Sequence, residues 1–141
     1  MLIKQLSIFL ENKKGRFTEV TNLLGEAGIN MTAFTVAENS DFGIVRLVVT
    51  EPEKARDILR ENRYAVSVTD VICIQMPNTP GALAKVMNII NDAGVSVEYM
   101  YAFSTGKSAA AVIRPDNLGI TLEVLTNNKV DLLASDELFS L

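Results

Sequence analysis

The chain repeats itself. At an offset of 66 positions Gly15 meets Gly81, Val20 meets Val86, Asn22 meets Asn88, Ala27 meets Ala93 and Gly28 meets Gly94, while Asn12 meets Asn78. Similar pairs fill the intervals without a gap: Phe17 with Leu83, Leu23 with Ile89, Leu24 with Ile90, Glu26 with Asp92 and Ile29 with Val95. A fixed period constrains a fold more than any local propensity, because both copies must take one structure. A few glycines could align by chance; glycines together with the whole apolar face between them do not.

Each copy reads as the same series of elements. In the first, Leu6, Ile8 and Leu10 alternate with Ser7 and Phe9, the period of a strand. A polar loop, Glu11-Asn12-Lys13-Lys14-Gly15, precedes Phe17, Val20, Leu23, Leu24 and Ala27, which share one helical face. Gly28 stands where a helix end favours left-handed backbone. Ile29 to Ala37 is strand-like, Asn39-Ser40-Asp41 has turn chemistry, and Ile44 to Val49 is β-branched. Thr50-Glu51-Pro52-Glu53 resembles a capping box, opening a helix that runs to about Asn62 with Ala55, Ile58 and Leu59 inward. A strand over Ala65 to Val68 completes the unit.

The second copy predicts strand Val71–Gln75, helix Ala82–Ala93, strands near Val95–Phe103 and Ala109–Arg114, helix near Asn117–Leu125 and strand near Val130–Ala134. The fold class is therefore α+β: two tandem ferredoxin-like βαββαβ modules, residues 1–69 and 70–141, each an antiparallel sheet with its helices on one face. A module of about 70 residues is marginal alone. The junction Ala65–Gln75 contains no Pro and no Gly, so strand four of one copy is expected to pass directly into strand one of the next, locking the halves together.

Composition narrows the function. The 141 residues include no His and one Cys, Cys73. That excludes a Ser-His-Asp triad, a Cys-His dyad, a His-ligated zinc and an internal disulfide, and no cofactor is implied. Thirteen Lys and Arg stand against 17 Asp and Glu, a net charge of −4 with no long basic run, which argues against nucleic acid as a partner. No apolar run reaches the roughly 20 residues of a membrane span, so no membrane partner is expected. The start, Met1-Leu2-Ile3-Lys4-Gln5, enters the alternating pattern with no basic and apolar leader, and a soluble cytoplasmic location is expected.

The loop between first strand and first helix is the strongest candidate site. It reads Asn12-Lys13-Lys14-Gly15-Arg16-Phe17 in one copy and Asn78-Thr79-Pro80-Gly81-Ala82-Leu83 in the other. A helix start leaves N–H groups unpaired and carries partial positive charge, Gly admits a close carboxylate, and Asn offers donors and an acceptor for an ammonium. Carboxylate and ammonium together define an amino acid. The same residues also suit a plain helix cap and turn, and spacing alone leaves both readings open. Other signals carry less. Ser104-Thr105-Gly106-Lys107-Ser108 ends like a phosphate-binding loop, but the required first Gly falls at Tyr101, so a hairpin turn is expected. Cys73 in an apolar strand reads as a core thiol. Glu98, Tyr99 and Tyr101 fit ordinary strand packing.

On these residues the chain resembles the ACT domain family. Asn78-Thr79-Pro80-Gly81 fits its loop motif and Asn12-Lys13-Lys14-Gly15 fits without the Pro. Ala27-Gly28-Ile29-Asn30 and Ala93-Gly94-Val95-Ser96 fit its helix-to-strand motif, the latter with Ser for Asn. The resemblance spans nearly the whole chain as two modules. It implies amino-acid binding and regulation of metabolic enzymes, with the loop of one module facing the second strand of a neighbour. By position that names Asn12, Gly15, Arg16 and Phe17, with Asn78, Gly81, Ala82 and Leu83, on the loops; Asn30, Met31, Ser96 and Val97 are the strand residues. Lys13-Lys14 makes the first loop more positive, and Ser96 is shorter than Asn, so unequal binding by the modules is implied.

The expected function is a non-catalytic sensor that binds a free amino acid and acts allosterically, as a homodimer and on an enzyme in trans. A ligand-free subunit that holds a catalytic partner, and a small enzyme on a ferredoxin-like scaffold, are the rival classes.

Overall fold

The computed structural model describes residues 1–11, 13–38 and 42–141. The expected Asn39-Ser40-Asp41 turn and Asn12 lie outside the described residues. The chain forms two compact units, one of Lys4–Thr69 and one of Asp70–Leu141 together with Met1–Ile3.

In the first unit, strand β1 (Ile3–Glu11) puts Leu6, Ile8 and Leu10 into the core and leaves Phe9 exposed, as the alternation requires. Helix α1 (Arg16–Glu26) follows Gly15, whose φ of 86° is the left-handed region that a side chain resists. Its Val20 and Leu24 are fully buried, and full burial of such a side chain contributes about 1.5–3 kcal/mol. Strands β2 (Met31–Glu38) and β3 (Phe42–Val49) pair antiparallel, and β3 pairs with β1 so that Leu6 faces Leu47 and Ile8 faces Val45. Helix α2 (Pro52–Glu61) lays Ala55 and Leu59 on the same core. Strand β4 (Ala65–Pro77) follows, without a break, across both predicted strands of the repeat junction. The order β2-β3-β1-β4 is the ferredoxin-like one.

The second unit repeats this with helix α3 (Ala82–Asp92), strands β5 (Val97–Thr105) and β6 (Ser108–Pro115), helix α4 (Leu118–Asn127) and the two-residue strand β7 (Asp131–Leu132). Its order is β7-β4-β6-β5. Ile72, Ile74, Val86, Ile90, Ile113 and Leu125 form its core, the matching positions of the repeat. A short helix, α5 (Ser135–Phe139), ends the chain with Leu138 buried.

Three local expectations differ from the structure. Thr50 does not cap α2: Glu51 is the N-cap, without a side-chain bond, and Pro52 opens the helix where its missing N–H costs nothing. Strands β2 and β5 begin two residues later than the pattern suggests, because the Ile29 and Val95 N–H groups close helices α1 and α3 onto Leu24 and Ile90. Likewise β7 is shorter than Val130–Ala134, since the Val130 N–H bonds Leu125 at the end of α4. The expected hairpin turn at Gly106 is present, with φ 79°.

Candidate functional site

In the second module the loop after β4 is pinned in place. The Asn78 backbone N–H donates to the Lys107 carbonyl at 2.8 Å, and its side-chain amide donates to the Gly106 carbonyl at 2.9 Å. Asn78 therefore does not cap α3. That N-cap is Gly81, left-handed at φ 85°, which has no side chain to offer. The equivalent Gly15 caps α1 the same way. By contrast, Asn117 caps α4, accepting from the Ile120 N–H at 3.0 Å.

The first loop is occupied by its own charges. Glu11 accepts from Lys13 at 2.8 Å and lies 3.7 Å from Arg16. The Lys13 ammonium, bonded to the Glu11 carboxylate, holds its pKa below the ordinary value, with Arg16 adding to the effect. Phe17 rests against Phe34 of β2 with ring centroids 6.1 Å apart. Tyr64 donates to the Arg16 carbonyl at 3.5 Å, and burial raises its pKa.

The strand residues lie elsewhere. Asn30 and Ser96 follow α1 and α3, whereas the loop residues precede those helices. Each helix has 11 residues, about 16 Å of rise, so loop and strand residues of one module sit at opposite helix ends. Met31 and Val97 open β2 and β5 and pack against their own cores. Ser96 and Val97 border a hollow of about 500 Å³ with Met87 and Asn91, away from Asn78 and Gly81.

Two cavities flank the second loop. One, of about 310 Å³, runs between Asn78, Thr79, Ala82 and Leu83 and the far end of β5 at Ala102 and Phe103. The other, of about 370 Å³, lies toward the α4–β7 turn and includes Lys85, Lys129 and Asp131. The first module has a matching cleft of about 350 Å³ at Glu11, Arg16 and Arg63. At this cavity Ala102 and Phe103 are not singled out by the sequence, and Thr79 and Ser104 stand in its motifs but not among the site residues it names. The strand register given by the β5–β6 pairing is the signal that would have found Ala102, Phe103 and Ser104.

Cys73 is fully buried and burial alone pushes its thiol up to about 12, so it is an inert core group. Among the described residues no cluster of three His, Cys, Asp or Glu could hold a metal. Among them, too, no helix is long and apolar enough to cross a membrane.

A repeated βαββαβ module with a glycine-led loop before its first helix defines a class, and the comparisons agree. The chain belongs to the ACT domain pair family, which matches residues 1–141. A protein from Bacteroides thetaiotaomicron of known crystal structure is similar at 52% identity, with TM-score 0.96, covering 100% of this chain and 98% of that one. The ligand-free regulatory subunit of aspartate kinase from Thermus thermophilus shares the fold at 13% identity and TM-score 0.66, over 89% of this chain and 93% of that one. The regulatory subunit from Thermus flavus does so at 14% identity and TM-score 0.63, over 88% and 90%. No protein of curated function matches the chain.

Proposed function

We propose that this chain is a non-catalytic regulatory protein that binds a free amino acid through its ACT modules and controls an enzyme of amino-acid metabolism in trans. The observation that carries the reading is the separation of loop and strand residues to opposite ends of an 11-residue helix. Such a site is completed only by a second module, and a second copy of the chain supplies one. A homodimer is supported by β2, the end strand of its sheet, whose Phe34 and Val36 are about half exposed at 52% and 49%. Ligand that favours one subunit arrangement over another is what allosteric control requires energetically. The Thermus proteins are regulatory subunits of a kinase by name, and the reading gives this chain the same kind of work.

Thermal melts against the twenty amino acids test it. One or a few should raise the midpoint; at a hundred times Kd the stabilisation is about 2.7 kcal/mol. No shift at millimolar concentration, with a stable enzyme complex recovered from cells, would instead make the chain a ligand-free holding subunit.

A further inference from the structure

We infer that the first module carries a separate ligand site for a phosphate monoester that presents a flat ring, a nucleoside monophosphate being the class that fits. The inference does not rest on the amino-acid reading. The site is the cleft of about 350 Å³ between the end of β1 and the α2–β4 turn, a size typical of small-molecule sites. Its walls are Phe9, Glu11, Arg16, Asn62, Arg63 and Tyr64, so it borders neither Gly15 nor any residue of β2. All of these belong to one module, and no second module is needed to complete it.

The chain has a net charge of −4, yet two guanidiniums line this cleft against one carboxylate. That carboxylate is already answered: Glu11 takes Lys13 at 2.8 Å and meets Arg16 only at 3.7 Å. Among the described residues nothing bonds or pairs with the Arg63 guanidinium, whereas that of Arg60 in α2 donates to the Val66 carbonyl at 2.9 Å. Arg63 also holds left-handed backbone at φ 68°, just past a helix end, where glycine is favoured. Strain kept for an unpaired side chain at a cavity points to a ligand. Two guanidinium forks, with the Tyr64 hydroxyl bonded no closer than 3.5 Å, match the double charge and several oxygens of a phosphate monoester. The ring follows from Phe9, which is 49% exposed and would be covered by a flat base laid on it. In the second module Gln75, Ala82, Lys129 and Val130 stand for Phe9, Arg16, Arg63 and Tyr64. That cleft keeps a cation at the turn but has no aromatic wall, so one site per chain is expected.

Calorimetric titration of the full chain with AMP, ribose 5-phosphate, inorganic phosphate and adenosine tests this. AMP should bind once per chain, about tenfold tighter than ribose 5-phosphate for the stacked base, and adenosine should not bind at millimolar concentration. Arg63→Gln, which leaves the turn's backbone demand unchanged, should weaken AMP by about tenfold or more with a melting midpoint near wild type. Phe9→Ala should bring AMP down to the affinity of ribose 5-phosphate. Any stabilisation of Arg63→Gln by an amino acid should match wild type, which separates the two readings. Inorganic phosphate binding as tightly as AMP overturns the ring. AMP binding unchanged in both variants, or two equal sites per chain, overturns the placement in this cleft. No heat with any of the four compounds overturns the inference whole and leaves the amino-acid reading standing.

Discussion

Asn30 and Thr50 hold each other by two hydrogen bonds: the Asn30 N–H donates to Thr50 Oγ1 at 3.1 Å, and the Thr50 N–H donates to the Asn30 carbonyl at 3.2 Å. The second module repeats the pair as Ser96 and Asp116, where the Ser96 N–H meets the Asp116 carboxylate at 3.1 Å and the Asp116 N–H meets the Ser96 carbonyl at 2.9 Å. The clasp joins the start of the second strand to the end of the third and fixes where the proposed strand residues begin. Thr50→Val and Asp116→Ala should each destabilise by about 1 kcal/mol in urea unfolding, while Thr50→Ser should stay near wild type.

Arg63 and Lys129 are the matched residues after α2 and α4, and both have left-handed backbone, φ 68° and 57°. A side chain there costs roughly 1–2 kcal/mol, and glycine returns part of that gain as unfolded-state entropy. Lys129→Gly should therefore stabilise by about 0.5–1 kcal/mol, read from the denaturation midpoint. A loss of stability would show that the Lys129 side chain contributes more than its backbone costs.

The Cys73 thiol is raised from 9.0 to about 12 by burial. A group raised in the fold stabilises below its unfolded pKa, and that contribution is lost as pH rises from about 9 toward 12. Stability should fall over that window, and Cys73→Ala should flatten the fall. At pH 8 the native chain should resist a thiol reagent, reacting only as it unfolds.

Glu11 has the opposite sign. Its carboxyl is held below the ordinary value, chiefly by Lys13, so its ion pairs help above the unfolded pKa and are lost as pH falls through the folded one. Carbon-13 titration should give Glu11 a midpoint below the ordinary glutamate value. Lys13→Ala should move it up further than Arg16→Ala does.

Local patterning carried much of this fold into the sequence. The alternation of Leu6, Ile8 and Leu10, the face of Val20 and Leu24, and left-handed Gly28 and Gly94 all follow from neighbours in the chain. Bonds between distant segments did not show. Thr50 looks like a helix cap until Asn30, 20 residues away, takes its hydroxyl. Asn78 looks like a cap until Gly106, 28 residues away, takes its amide. The candidate site divides the same way. Its loops were legible from Gly15 and Gly81, but the wall at Ala102 and Phe103 exists only because β5 pairs with β6 and returns beside Asn78.

The tie from Asn78 to the Gly106–Lys107 turn has a further consequence. The loop at Asn78 is tied to a hairpin tip, Gly106–Lys107, that borders neither of the two cavities beside it. Changes at that tip can thus shift the loop without altering a residue of either cavity. Under the proposed function, the hairpin would be a dial for ligand sensitivity that selection can turn while the cavity walls stay as they are.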